Sequence, residues 1–191
     1  MYNLPNILTI SRILVIPVIV LLFFFPSPVT TVLCGILFIA AAVTDYFDGY
    51  LARAMNQLSS FGRFLDPIAD KLLVSSVLFM LAATMDIPFL GIIPALIILC
   101  REIIVSGLRE YLAELQVGMP VTRLAKWKTG FQMTAIPIII FGKELWFFAD
   151  FGSALLWVAA ILTLITGYDY LRAGMKYMDG VPAPKKPANK K

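Results

Sequence analysis

The stretch Thr44-Asp45-Tyr46-Phe47-Asp48-Gly49-Tyr50-Leu51-Ala52-Arg53, followed by Phe61-Gly62-Arg63-Phe64-Leu65-Asp66-Pro67-Ile68-Ala69-Asp70, decides how this chain is read. The first half closes an apolar run that includes Leu33 to Ala42, and the second opens one that includes Leu73 to Ala83. Asp45 and Asp48 stand three apart, and Asp66 and Asp70 four apart, so each pair shares one face of a helix. The short connection makes the two helices antiparallel neighbours, and all four carboxylates are expected to converge on one volume. An ionised Asp at membrane depth costs about 2.5–3.5 kcal/mol. Four therefore cost on the order of 10–14 kcal/mol before their mutual repulsion is added. Arg53 and Arg63 alone do not neutralise four acids. Divalent cations do, and an all-oxygen ligand set points to Mg2+ or Mn2+. Carboxylates on two antiparallel helices suit a pair of ions about 3.5–4 Å apart, the spacing of in-line phosphoryl displacement. Gly49, Ala52 and Gly62 leave room beside the acids for a ligand or a facing helix, although taken alone they read as helix-packing residues.

Working outward, the solvent of these helices is lipid. Of 191 residues, 60% are hydrophobic and 15% charged, against roughly 25% charged in soluble domains. Apolar runs near twenty residues long recur, which predicts an all-α integral membrane fold of one domain. Six spans are drawn at about 7–26, 29–54, 62–84, 88–115, 124–142 and 151–177, with Pro94 and Pro137 inside spans as candidate kinks. Residues 1–177 form the membrane domain, and 178–191 read as a disordered basic tail. Arg12 interrupts the first apolar stretch, and no basic residue precedes it, so the start does not resemble a cleaved signal.

The connections near 26–30 and 84–88 hold no Lys or Arg, whereas Arg53, Arg63, Arg109, Arg123, Lys126, Lys128, Arg172 and Lys176 gather at the other face. The positive-inside rule places both termini and the acidic site in the cytoplasm, with no role for nucleic acid in the net charge of +4. Cys34 and Cys100 show no ligand or disulfide spacing and read as packing residues. Histidine is absent, so a general base has to be a carboxylate, lysine or tyrosine, and a metal site has to be oxygen-rich. Asn6, Thr9 and Arg12, with Asn3, recur every three residues. They suit a short N-terminal amphipathic helix at the membrane interface, or equally a capped helix start with Arg12 reaching to headgroups.

As a spacing pattern the acidic stretch is Asp-x2-Asp-Gly-x2-Ala-Arg-x8-Gly-x3-Asp-x3-Asp, with eight fixed positions across 26 residues. It resembles the signature of the CDP-alcohol phosphotransferase family, and the six-span length agrees with that family over essentially the whole chain. The resemblance implies that Asp45, Asp48, Asp66 and Asp70 hold two metals that grip the diphosphate of a CDP-lipid. It implies that Gly49, Ala52, Arg53 and Gly62 line the nucleotide pocket, and that Asp70 is the general base toward an acceptor hydroxyl. CMP would leave. It also implies a homodimer.

Arg101, Arg109, Arg123, Lys126 and Lys128 crowd the same half of spans four and five. Arg101 and Arg109 sit roughly 80° apart around a helix, so both can border one pocket. Beside a metal site already rich in acids, such cations suit a second anionic ligand such as a phosphomonoester. Positive-inside bias and ion pairs with Glu102, Glu110 and Glu114 are the competing explanation. The segments 101–110 and 125–133, with the opening Leu4-Pro5-Asn6-Ile7-Leu8-Thr9-Ile10-Ser11-Arg12, resemble bacterial members of the family. In those members CDP-diacylglycerol and glycerol 3-phosphate are the substrates and the inner membrane the location. Other acceptors within the family, an intramembrane prenyltransferase and a cation transporter are the alternatives. The apolar outer halves of the spans argue against transport.

Overall fold

A computed structural model describes residues 4–54, 60–84, 86–87, 89–115, 117, 122–142 and 146–178; the side chains of 4–5, 46–54, 60–61, 63, 89, 146–147 and 178 lie outside that description. Six α-helices follow one another: α1 (Leu4–Phe23), α2 (Pro28–Ala54), α3 (Ser60–Ala83), α4 (Ile92–Glu114), α5 (Arg123–Gly142) and α6 (Trp146–Met178). A single 3-10 turn, Phe89–Gly91, leads into α4. Pro94 therefore falls in the first turn of α4, where its missing N–H costs little. Pro17, Pro67 and Pro137 lie inside helices. Of the basic tail expected at 178–191, Met178 belongs to α6 and the rest falls outside the described residues.

Three helices contain stretches long and apolar enough to cross a membrane, at Asn6–Phe23, Pro28–Asp45 and Phe148–Tyr177. The other three, α3, α4 and α5, each carry several ionic side chains within the helix, including Asp66 and Asp70, Arg101 and Glu102, and Lys126 and Lys128. Leu14, Leu21, Phe79, Leu96, Ile103 and Leu164 are all more than half exposed on the outer surface. An outward face of this kind suits lipid better than water.

Each helix turns one stripe inward. On α1 it is Asn6, Thr9, Arg12, Ile16, Ile19 and Phe23; on α2 it is Thr31, Cys34, Phe38 and Ala41, continuing to Asp45. The stripes are apolar toward one end of the bundle and polar toward the other. The main core joins Ile19, Phe38, Val77, Leu81, Ile98, Ile136 and Ala159, and a smaller cluster of Val105, Leu108, Leu112, Ala125 and Tyr170 lies at the polar end. α1 packs on α2 and α3, and α6 packs on α4 and α5. Cys34 belongs to the core as expected, whereas Cys100 is exposed on the outer surface of α4, because its position faces away from the bundle.

Gly167 and Gly174 set the approach of α6 to α4. A Cβ at Gly167 would sit 3.0 Å from Arg101 Cγ, and one at Gly174 would sit 2.7 Å from Leu108 Cδ1. Both pairs are seven residues apart, so α4 and α6 run parallel in register. Glycine at both positions is what lets the Arg101 stem lie against the α6 backbone.

Candidate active site

Two polar clusters occupy the polar end of the bundle. In the first, the inward stripe of α1 meets the acids. Arg12 Nη1 forms an ion pair with Asp45 Oδ1, and Thr9 Oγ1 donates to Asp66 Oδ1 at 2.6 Å. Asp45 interacts electrostatically with Asp66 and with Asp70. α2 and α3 thus bring Asp66 and Asp70, two of the other three sequence-predicted carboxylates, within reach of the charge of Asp45. The side chains of Asp48, Ala52 and Arg53, and the position of Gly49, lie in the part of α2 outside the side-chain description. Gly62 is buried one turn before Asp66. Among the described residues, no three acids, histidines or cysteines stand close enough together to hold a metal ion.

The reading of Asn6, Thr9 and Arg12 as an interfacial stripe is corrected here. Residues 4–23 form one continuous helix, and Arg12 is only 1% exposed. The physical reason is the acid cluster itself: a guanidinium turned toward Asp45 compensates a carboxylate inside the bundle, which open headgroup contact would not do. A stripe every three residues identifies a face but not what that face meets. The cation partners weighed against the acids were Arg53 and Arg63, so Arg12 is one that the sequence reading missed.

The second cluster is a cavity of about 290 Å³. Asp70 and Lys71 line it from α3, Arg101, Glu102 and Arg109 from α4, and Lys128 and Gln132 from α5. Lys128, 4% exposed, bonds to Glu102 Oε1, and Arg101 Nη1 lies 3.3 Å from the same oxygen. Arg101 Nη2 also reaches Thr166 Oγ1 at 3.3 Å. Arg109 Nη2 donates to Tyr170 Oη at 3.0 Å, and both guanidinium groups flank the Tyr170 ring at 5.7 and 5.0 Å. These contacts with α6 fix the two arginine heads at the cavity wall. Four cationic side chains face two anionic ones, so the space favours an anion.

Three of the five expected anion-binding residues, Arg101, Arg109 and Lys128, meet at this cavity; Arg123 and Lys126 do not. Both are exposed on α5, away from the buried face that holds Ala125, Lys128, Gln132 and Ala135. Helical phase could have separated them, because Lys126 stands about 200° from Lys128. Lys71 and Gln132 were missed. Gln132 carries a readable signal, lying four residues after Lys128 on an otherwise apolar face.

Asp70 joins the two clusters. Its charge interacts with Asp45 and Arg12 on one side, and with Glu102 and Lys128 on the other. Acids on one side, cations on the other and a shared carboxylate between them thus meet at one end of an apolar helical bundle. The chain belongs to the CDP-alcohol phosphatidyltransferase family, whose model matches residues 2–165. It is 51% identical over 178 residues to a CDP-diacylglycerol–glycerol-3-phosphate 3-phosphatidyltransferase of Rickettsia bellii, covering 92% of this chain and 97% of the relative. A protein of the same name from Rickettsia typhi is 50% identical, covering 93% and 99%. One from Cereibacter sphaeroides is 39% identical, covering 93% and 97%. Membership in this family sets aside the prenyltransferase and transporter alternatives.

Proposed function

We propose that this protein transfers the phosphatidyl group of CDP-diacylglycerol to sn-glycerol 3-phosphate, giving phosphatidylglycerophosphate and CMP, as a step of anionic phospholipid synthesis. The observation that carries the acceptor is the cavity in which Arg101, Arg109 and Lys128 surround one wall and Asp70 another. A volume of about 290 Å³ suits a small phosphomonoester, since drug-sized ligands occupy about 300–1,000 Å³. The names of the relatives support the same reaction over nearly the full length of the chain.

In this reading the acceptor phosphate is held by Arg101, Arg109 and Lys128, with both arginines braced on Tyr170. Its free primary hydroxyl faces Asp70, which takes the proton. The oxygen attacks the lipid-side phosphorus, the P–O bond to CMP breaks, and CMP leaves with the electron pair. Gly49, Ala52, Arg53 and Gly62 line the cytidine nucleotide. Hard carboxylate oxygens from two helices fit Mg2+ or Mn2+ in type, and Asp45, Asp48, Asp66 and Asp70 would hold two such ions, which supply positive charge to the diphosphate. Arg12 and Thr9 orient Asp45 and Asp66 from α1.

The bundle spans the bacterial inner membrane six times as a homodimer, with both termini, the basic tail and the site on the cytoplasmic side. Purified protein given CDP-diacylglycerol and a panel of alcohols should release CMP with glycerol 3-phosphate, lose activity on chelation and regain it with Mg2+ or Mn2+. Turnover with another alcohol but none with glycerol 3-phosphate would redirect the assignment.

A further inference from the structure

Gln132 lines the cavity but holds neither the acceptor phosphate nor the reacting hydroxyl. It is 3% exposed, it lines the space shared by Asp70 and Lys128, and its Oε1 has no hydrogen-bond partner. A buried amide oxygen without a donor is unfavourable, and such atoms are usually completed by water, an ion or a ligand. The residue stands one helical turn beyond Lys128 on the same inward face of α5.

We infer that Gln132 is a specificity-determining residue whose Oε1 accepts a hydrogen bond from the secondary hydroxyl of the acceptor. The inference rests on the glycerol 3-phosphate reading above and follows by elimination of donors. The phosphate at Arg101, Arg109 and Lys128 offers acceptors only. The primary hydroxyl gives its proton to Asp70. The secondary hydroxyl is the donor left on the molecule, and it lies between the two ends that the cavity already holds. An amide oxygen suits this task better than a carboxylate, which would add a third negative charge to a wall that already carries Asp70 and Glu102. The binding site thus checks for a hydroxyl that takes no part in the bond changes, as a polar group buried in a site does when an analogue leaves it unpaired.

The test uses the full chain in lipid nanodiscs with CDP-diacylglycerol, and two acceptors: sn-glycerol 3-phosphate and 3-hydroxypropyl phosphate, which lacks only the secondary hydroxyl. Wild-type protein should prefer glycerol 3-phosphate in kcat/KM by roughly tenfold or more, the scale of one hydrogen bond. Gln132→Met, close in shape but without the amide oxygen, and Gln132→Leu should lose that preference. Their kcat/KM for 3-hydroxypropyl phosphate should fall less than that for glycerol 3-phosphate, and an unchanged Tm in detergent checks that both variants fold. Equal losses on both acceptors in both variants, or an unchanged preference, would overturn the inference alone. No CMP release by wild type with glycerol 3-phosphate would overturn the acceptor reading and this inference together.

Discussion

Lys126 and Lys128 differ by two positions and by everything that matters to an anion. One is exposed on the outside of α5, and the other is buried against Glu102 at the cavity. Charge-assisted hydrogen bonds of the kind Lys128, Arg101 and Arg109 offer are worth about 1.5–3 kcal/mol. Replacing each by Gln should raise the KM for glycerol 3-phosphate roughly tenfold or more, with little change in the KM for CDP-diacylglycerol. Arg123→Gln and Lys126→Gln should stay within about twofold for both substrates. Steady-state kinetics on the five variants checks the division, and equal effects on both KM values would break it. The Arg12–Asp45 pair makes a second case. Removing one partner of a fully buried pair costs about 3–5 kcal/mol, but the Asp45 side chain is 37% exposed, so about 1–3 kcal/mol is expected for Arg12→Met. A Tm drop in detergent, with at least a tenfold fall in kcat that Arg12→Lys partly restores, would bear this out. The nearness of Asp45 to Asp66 and Asp70 was legible because the spacing of the acids and their sequence context are specific. Arg12 was not, since a periodic stripe reports direction without naming the facing helix, and a lone glutamine such as Gln132 has no motif at all.

Helices α4 and α6 approach closely at Gly167 and Gly174, and this has a kinetic consequence. Arg101 reaches the cavity because its stem lies on α6 where Gly167 has no side chain. Gly167→Leu should push the helices apart there and move Arg101, raising the KM for the acceptor several-fold while binding of the CDP-lipid changes less. Gly107→Ala and Gly130→Ala are the controls, because a Cβ at either meets nothing within 4 Å. They should leave both constants unchanged, and Ala should slightly favour the helix over Gly. The extents of all six helices were legible to within a few residues because apolar runs and Pro or Gly at the joins report length directly. Their lateral order was not, since an apolar face against lipid and one against a neighbouring helix have the same composition. The glycines at 167 and 174 were the available signal, spaced seven apart opposite Arg101 and Leu108.

At the scale of the whole molecule, charge and depth are coupled. The inward stripes of α1 and α2 are apolar over most of their length and polar where Arg12 meets Asp45. That polar end also gathers Thr9 and Asp66 and the cavity of Asp70, Arg101 and Lys128. The turn between α1 and α2, around Phe25, lies at the opposite end and carries no ionic residue from Phe23 to Val43. If the bundle spans the membrane six times, Lys126 near the start of α5 and Lys176 near the end of α6 share one side, and Phe25 faces the other. Single cysteines at these exposed positions, introduced in a Cys100→Ser background with buried Cys34 retained, give a direct reading. In sealed inverted vesicles, a membrane-impermeant maleimide should label Lys126→Cys and Lys176→Cys, while Phe25→Cys should label only after the bilayer is opened. The same vesicles, with CDP-diacylglycerol in the membrane, should release CMP when glycerol 3-phosphate is added outside, because the cavity lies toward the lysine end of the bundle. Labelling of Phe25→Cys together with Lys126→Cys in intact vesicles would mean that α1 does not cross, and the acid cluster would then need another explanation for its depth.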